Sequence, residues 1–187
     1  VRSTLAIFNV LGALLALFAA YYLLPIATAL IYGETGQLRV FLECAGITLA
    51  AGLTLLFSTQ RFRAELKPRD GYLLVSLSWI LVTGMAALPL MLGEPHLSFT
   101  DAVFESMSGL STTGSTVITG LDGLPYSVNL WRSALHWLGG MGIIVLAVAI
   151  LPLLGVGGMQ IYRAETPGPV KDAKLTPRIT ETAKALW

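Results

Sequence analysis

The sequence predicts an all-α membrane protein in which two leading transmembrane helices are followed by one unit of helix, short helix, loop and helix. Hydrophobic residues make up 55% of the 187 residues and charged residues only 12%, about half the charged share of an ordinary soluble domain. Several charge-free apolar runs are also long enough to cross a bilayer, which takes about 20 residues. A polar stretch rich in glycine, serine and threonine lies between two of these runs and predicts the loop.

Four apolar runs are predicted to cross the membrane, at residues 3–33, 38–57, 72–92 and 133–154. The first run is longer than the apolar region of a signal peptide, which is about 7–15 residues. Pro25 is expected to kink its helix, because proline lacks an N–H and its ring crowds the preceding turn. We assign four aromatic residues to the membrane–water interface. They are Tyr21, Tyr22, Tyr32 and Trp131.

The charge distribution predicts the topology. Ten basic residues fall on the side that holds the N-terminus, the first connector and the C-terminal tail, and only Arg39 and Arg132 fall on the other side. Basic residues concentrate in cytoplasmic loops, so both termini of this chain are expected to be cytoplasmic. The chain begins at Val1 without a methionine and ends abruptly at Trp187, and we interpret it as a piece of a longer protein.

The topology divides the chain into four segments. Residues 1–60 form the two leading helices, 61–71 a cytoplasmic connector, 72–155 the unit that contains the loop, and 156–187 a cytoplasmic tail. Within the unit, residues 99–110 predict an amphipathic helix of about three turns, too short to cross. Residues 99–120 are therefore expected to enter and leave from the outer side.

The polar stretch is Ser108-Gly-Leu-Ser-Thr-Thr-Gly-Ser-Thr-Val117. Irregular backbone at membrane depth is tolerated only where it is buried in protein or lines a watery cavity. A short helix that dips inward directs its partially negative C-terminal end at the membrane interior, and the loop after it can offer carbonyl oxygens to a dehydrated monovalent cation. The candidate ligands are Thr112, Thr113, Gly114 and Ser115, mainly through backbone carbonyls. Glu105, Ser108, Gly109 and Thr116 are the candidate supporting residues.

Several polar residues have a structural and a functional interpretation. Glu105 could bind the cation, but a carboxylate that anchors the loop through backbone N–H groups is favoured, because a buried charge is costly without partners. Arg132 is expected to pair with an outer carboxylate or to extend to the interface. His136 could relay protons, but a packed or hydrogen-bonded interfacial histidine is favoured. The run Gly139-Gly-Met-Gly142 predicts close helix packing.

The sequence offers no recognisable catalytic site. It contains no nucleophile elbow and no metal-ligand spacing, and Cys44 is the only cysteine. We therefore expect neither an enzyme nor a bound cofactor. The alternative to an ion pathway is a non-transporting helical membrane scaffold or assembly fragment.

Separated motifs resemble the first pore repeat of TrkH-type bacterial potassium transporters, in the superfamily that contains Trk, Ktr and plant HKT proteins. The motifs are Phe104-Glu-Ser-Met-Ser-Gly-Leu-Ser-Thr-Thr-Gly-Ser-Thr116, Trp131-Arg132, His136-Trp-Leu-Gly-Gly-Met-Gly-Ile-Ile144 and Leu154-Gly-Val-Gly-Gly-Met-Gln160. Residues 162–169 and 184–187 are also similar to that family. The resemblance covers about residues 66–187, and the two leading helices are what the TrkH branch implies.

The resemblance implies potassium uptake across the bacterial inner membrane, with potassium as the transported substrate. In that family one subunit contains four helix–pore loop–helix repeats around a single pathway, and each repeat supplies one filter glycine, here Gly114. This chain would supply one quarter of the filter and would need the remaining three repeats of its parent chain. The family further implies a homodimer and a cytosolic ring of nucleotide-binding regulatory subunits.

Overall fold

The computed structural model describes residues 2–60 and 68–153, which form helices, turns and loops without a strand. The helices are α1 (Arg2–Tyr21), α2 (Leu23–Tyr32), α3 (Thr35–Thr59), α4 (Pro68–Leu92), α5 (Phe99–Leu110) and α6 (Tyr126–Leu153). The all-α prediction is therefore confirmed. Most of the predicted connector, residues 61–67, and the predicted tail lie outside the described residues.

Helical segments long and apolar enough to cross a membrane occur at Leu5–Tyr32, Thr35–Thr59 and Asp70–Leu92. They coincide with the first three predicted crossings. The fourth predicted crossing falls on α6, which starts seven residues earlier than the predicted run. The chain divides into two compact units, Val1–Gly139 and Gly140–Trp187. All contacts discussed below belong to the first unit.

The first crossing is interrupted where Pro25 requires it. Tyr22 is a turn residue between α1 and α2, and its N–H donates to the carbonyl of Ala19 at 3.3 Å. Pro25 lacks an N–H, and its ring would crowd the carbonyl four residues earlier. The kink expected from the sequence is thus a short break between two helices. Helix α2 ends at Gly33, whose φ of 70° is the left-handed conformation that glycine adopts without penalty.

The leading helices α1 and α3 approach closely at two glycines. An ideal Cβ on Gly12 would lie 2.8 Å from the carbonyl oxygen of Gly52 and 2.6 Å from the nitrogen of Leu56. Small residues let membrane helices pack backbone against backbone, where van der Waals contact replaces the hydrophobic effect. The side chain of Asn9 adds hydrogen bonds to the carbonyl of Leu56 at 3.1 Å and to the hydroxyl of Thr59 at 3.2 Å.

An aromatic core joins the leading helices to α4 and α6. Tyr22 and Trp131 are fully buried and stack with ring centroids 4.6 Å apart. The Tyr22 hydroxyl donates to the carbonyl of Met85 at 2.7 Å, and the Trp131 indole N–H donates to the carbonyl of Ala86 at 3.1 Å. The sequence places Tyr22 and Trp131 at the interface, whereas in the structure both rings are buried among the helices. Their polar atoms are satisfied by α4 carbonyls, so water is not required.

The turn between α2 and α3 lies at the same end of the first unit as the start of α6, because the Glu34 carboxylate accepts a hydrogen bond from the Tyr126 N–H at 2.6 Å. Gln37, in the first turn of α3, is so close to Gly93 that a Cβ on Gly93 would overlap the Gln37 side chain. The end of α4 therefore lies at this end as well. Helix α5 begins six residues after Gly93, and after α5 the chain returns to this end at Tyr126. The segment between Gly93 and Tyr126 therefore enters and leaves the first unit from the same end.

Candidate functional site

Helix α5 has the bounds that the sequence predicts and a defined start. The Ser98 hydroxyl accepts a hydrogen bond from the Asp101 N–H at 3.2 Å and donates to the Asp101 carboxylate at 2.8 Å. This arrangement is an N-cap, in which a serine side chain satisfies a free N–H of the first turn. Twelve residues give α5 a length of about 18 Å, roughly half of the membrane crossing that the neighbouring helices make.

The end of α5 lies against the middle of α6. An ideal Cβ on Gly139 would overlap the carbonyl of Leu110, and one on Gly109 would lie 3.1 Å from the Cβ of Leu135. Gly139 is thirteen residues beyond the start of α6, about 20 Å along the helix axis. The loop after α5 therefore begins deep between the helices. The close packing predicted for the glycine run is observed at Gly139.

The loop backbone alternates in handedness around Gly114. Thr112 has a φ of 59° and Gly114 a φ of 75°, whereas Thr113 between them is not in the positive-φ region. A positive φ is natural for glycine and uncommon for threonine, so its occurrence at Thr112 indicates a backbone held by its surroundings. Residues 112–117 are exposed in this single chain. The four candidate ligands are thus brought together on one accessible loop.

Ser108 holds both sides of this loop. Its carbonyl accepts hydrogen bonds from the N–H groups of Thr113 at 3.0 Å and Gly114 at 3.4 Å. Its hydroxyl donates to the carbonyl of Ser115 at 2.7 Å. One buried serine at the end of α5 therefore fixes the loop before and after Gly114, and the Ser111 and Thr113 hydroxyls add a contact of 2.8 Å.

Glu105 anchors the return of the loop. Its carboxylate accepts hydrogen bonds from the Thr116 hydroxyl and the Val117 N–H, both at 2.6 Å. Arg132 donates to the other carboxylate oxygen through Nε at 3.2 Å and Nη2 at 3.0 Å. A carboxylate offers about four acceptor positions, and four donors occupy those of Glu105. The geometry is that of the anchor favoured from the sequence rather than that of a cation ligand.

The pair of Glu105 and Arg132 is largely buried. The Glu105 side chain is 2% exposed and the Arg132 side chain 15% exposed. Nη2 of Arg132 also donates to the Thr116 hydroxyl at 3.1 Å, so α6, α5 and the loop meet in one network. The sequence left the partner of Arg132 open between an outer carboxylate and the interface. The structure selects the carboxylate of Glu105.

His136 lies on α6 behind the loop. Its Nδ1 is 2.9 Å from the carbonyl of Arg132, so the ring is hydrogen-bonded as expected. Its Nε2 would lie 3.8 Å from an ideal Cβ on Gly114. His136 is about 15 Å along α6 from the helix start, so it packs beside the loop rather than at the end of the helix. Among residues 2–60 and 68–153, no group of three or more His, Cys, Asp or Glu side chains could hold a metal ion.

Comparison with known proteins identifies the family. The family model for TrkH, described as a cation transport protein, matches residues 37–187. The chain belongs to this family. The Trk system potassium uptake protein TrkH of Halomonas elongata is 54% identical over 182 residues, and that of Escherichia coli K12 is 51% identical over 183 residues. Each comparison covers 97% of the chain and 38% of the relative.

A solved structure has the same fold. The crystal structure of the potassium transporter TrkH from Vibrio parahaemolyticus aligns with a TM-score of 0.79 and 45% identity, and it covers all of this chain and 36% of that one. The similarity to TrkH proteins therefore extends through the two leading helices and is not limited to residues 66–187. The chain spans 38% of the length of these two TrkH relatives.

Proposed function

We propose that this TrkH-family chain is part of a pathway for potassium uptake, to which it contributes one quarter of the selectivity filter. The curated relatives are named as potassium uptake proteins. The observation that carries the proposal is the loop itself, where positive φ at Thr112 and Gly114 alternates with an ordinary residue between them. Alternation of this kind lets successive carbonyls turn toward one side, as a ring of cation ligands requires.

The anchors around the loop support the same function. Carbonyl oxygens select between ions only if their spacing is held against the pull of the ion. Ser108 holds the segment around Gly114, and Glu105 with Arg132 holds Thr116 and Val117. We infer that Thr112, Thr113, Gly114 and Ser115 supply filter oxygens, and that potassium is a transported substrate rather than a resident cofactor. We propose transport and no enzymatic reaction.

The proposed assembly follows from the incomplete ring. One loop cannot surround an ion, and residues 112–117 are exposed in the single chain. We propose that three further repeats of the parent chain complete the filter. A homodimer and a cytosolic ring of nucleotide-binding subunits complete the transporter, as the family resemblance implies. The excess of basic residues in the first connector and the C-terminal tail supports a bacterial inner-membrane location with both termini in the cytoplasm.

The experiment compares Gly114→Ser with Gly120→Ser in the full-length protein. Both glycines have positive φ, 75° and 73°, but Gly120 lies beyond the proposed filter and a Cβ there meets nothing within 4 Å. Left-handed backbone costs a residue with a Cβ roughly 1–2 kcal/mol, so relaxation of the loop should reduce the preference for potassium over sodium by about tenfold. Folding should be largely retained, because a Cβ on Gly114 meets only His136, at 3.8 Å.

Flux of both ions into proteoliposomes is the measurement. Gly120→Ser should keep the wild-type preference, since its strain is the same and its position is different. An unchanged preference in Gly114→Ser would show that the loop only packs between neighbours and is not the filter. Absence of potassium flux in the wild-type protein would favour the non-transporting scaffold.

A further inference from the structure

Helix α6 begins without a cap of its own. Pro125 precedes Tyr126, and proline has neither a side-chain acceptor nor the preference for the N-cap position that serine, threonine, asparagine and aspartate have. The first four N–H groups of a helix have no partner within the helix. Here the N–H groups of Val128 and Asn129 donate to the carbonyl of Pro125, each at 3.1 Å. The N–H groups of Tyr126 and Ser127 remain.

Glu34 satisfies both remaining groups from a distant part of the sequence. Its carboxylate accepts hydrogen bonds from the N–H of Tyr126 at 2.6 Å and the N–H of Ser127 at 3.1 Å, and also from the Ser127 hydroxyl. A negative charge at this end of a helix is additionally favoured by the helix dipole. The cap of α6 is therefore supplied by the turn between the two leading crossings, 92 residues away from Tyr126.

A second contact joins the same two places. The rings of Tyr32, at the end of α2, and Tyr126, at the start of α6, stack with centroids 4.2 Å apart. Further along α6, the carbonyl of Ala134 accepts a hydrogen bond from the Tyr21 hydroxyl at 2.6 Å. The first half of α6, residues 126–139, is thus fixed to the leading helices at its start and again two turns later.

This part of α6 carries the residues that hold the loop. Arg132 reaches Glu105 and Thr116, His136 packs beside Gly114, and Gly139 receives the end of α5. All three are on one continuous helix, Tyr126–Leu153. A displacement at Tyr126 would therefore be transmitted to the positions of all three.

We propose that Glu34 is a positioning residue for ion selection, and that the leading helices act as an outer clamp on the loop through α6. This inference rests on the proposed function, since it concerns how the filter loop is held. It assigns a role to helices that lie outside the repeat that carries the filter.

The test is the preference for potassium over sodium in the full-length protein carrying Glu34→Ala, measured by flux into proteoliposomes. Loss of the cap should reduce the preference by roughly fivefold. That is the factor by which the loss of a helix cap typically changes a folding equilibrium. Ser127→Ala removes one of the three contacts and should reduce the preference by a smaller factor. The double variant should match Glu34→Ala, because both substitutions act on the same contact.

Two variants separate positioning from general stability. Asn9→Ala removes hydrogen bonds between α1 and α3 that do not involve α6, so it should lower the melting temperature and leave the preference unchanged. Glu43→Ala removes an exposed carboxylate that pairs with Arg39 on the same helix, and it should change neither quantity. A reduced preference in Asn9→Ala equal to that in Glu34→Ala would overturn the positioning role.

The outcomes distinguish this inference from the proposed function. Wild-type potassium flux with an unchanged preference in Glu34→Ala would overturn the clamp and leave the filter proposal intact. Absence of potassium flux in the wild type would overturn both. If Glu34→Ala does not fold, Ser127→Ala decides the question, because an unchanged preference in that milder variant contradicts the clamp.

Discussion

Replacement of Glu105 by glutamine tests whether the anchor of the loop depends on charge. Glutamine has nearly the same shape, and its carbonyl oxygen can still accept from Thr116 and Val117. Its amide nitrogen would then face Nε and Nη2 of Arg132, which lie 3.2 and 3.0 Å from the present carboxylate oxygen. Donors would meet donors, and the arginine would lose its partner.

The magnitude follows from burial. Removal of one partner from a buried ion pair costs about 3–5 kcal/mol, because the other charge is left without compensation. The Arg132 side chain is 15% exposed, so water can reach part of it and the lower end, about 3 kcal/mol, applies. That is a large fraction of the 5–15 kcal/mol that separates folded from unfolded states in typical proteins. Addition of Arg132→Gln to the Glu105→Gln variant should restore about 2 kcal/mol of the free energy of unfolding, since the unpaired charge is then absent.

The assay is denaturant unfolding of the purified full-length protein, together with its potassium-to-sodium flux ratio. Glu43→Gln is the matched control, because Glu43 is 50% exposed and its pair with Arg39 is worth about 0–1 kcal/mol. If Glu105→Gln unfolds at the wild-type denaturant concentration and keeps the wild-type flux ratio, the carboxylate is not the anchor that the hydrogen bonds indicate.

Two glycine contacts give further predictions. Gly139→Ala places a methyl group on the backbone of Leu110, so it should lower the free energy of unfolding by about 1–3 kcal/mol and reduce potassium flux. Its control is Gly84→Ala, where a Cβ meets nothing within 4 Å. That variant should leave the melting temperature and the flux unchanged. Gly12→Leu should separate α1 from α3 and lower the melting temperature strongly, because the added side chain meets backbone atoms. Gly46→Leu, in open space on α3, is its control; equal melting temperatures for the two variants would refute the close-packing argument.

The features that sequence analysis located well are local ones. Helix α5 spans the predicted residues because its start depends on Ser98 and its end on the polar stretch that follows. The anchoring interpretation of Glu105 came from a general cost, since a carboxylate at membrane depth needs partners. The identity of its cationic partner could not be deduced, because Arg132 is 27 residues away and its position depends on how α5 packs against α6.

The features that sequence analysis missed depend on contacts between distant segments. Tyrosine and tryptophan are residue types that favour the membrane–water interface. Tyr22 and Trp131 are nevertheless fully buried, because the carbonyls of Met85 and Ala86 satisfy their polar atoms. A polar atom on an aromatic ring does not indicate whether water or a neighbouring helix will satisfy it. Glu34 was likewise only part of a turn in the sequence. The absence of a local cap before Tyr126 was a signal that an acceptor would come from elsewhere.

The central claim is that the loop after α5 binds the transported ion. The most direct measurement is anomalous diffraction from crystals of the full-length protein grown with rubidium, a potassium substitute that scatters strongly. The account predicts a rubidium peak coordinated by backbone carbonyl oxygens of Thr113 and Gly114 together with those of three equivalent loops. A rubidium site elsewhere in the membrane region, with none at this loop, would contradict it.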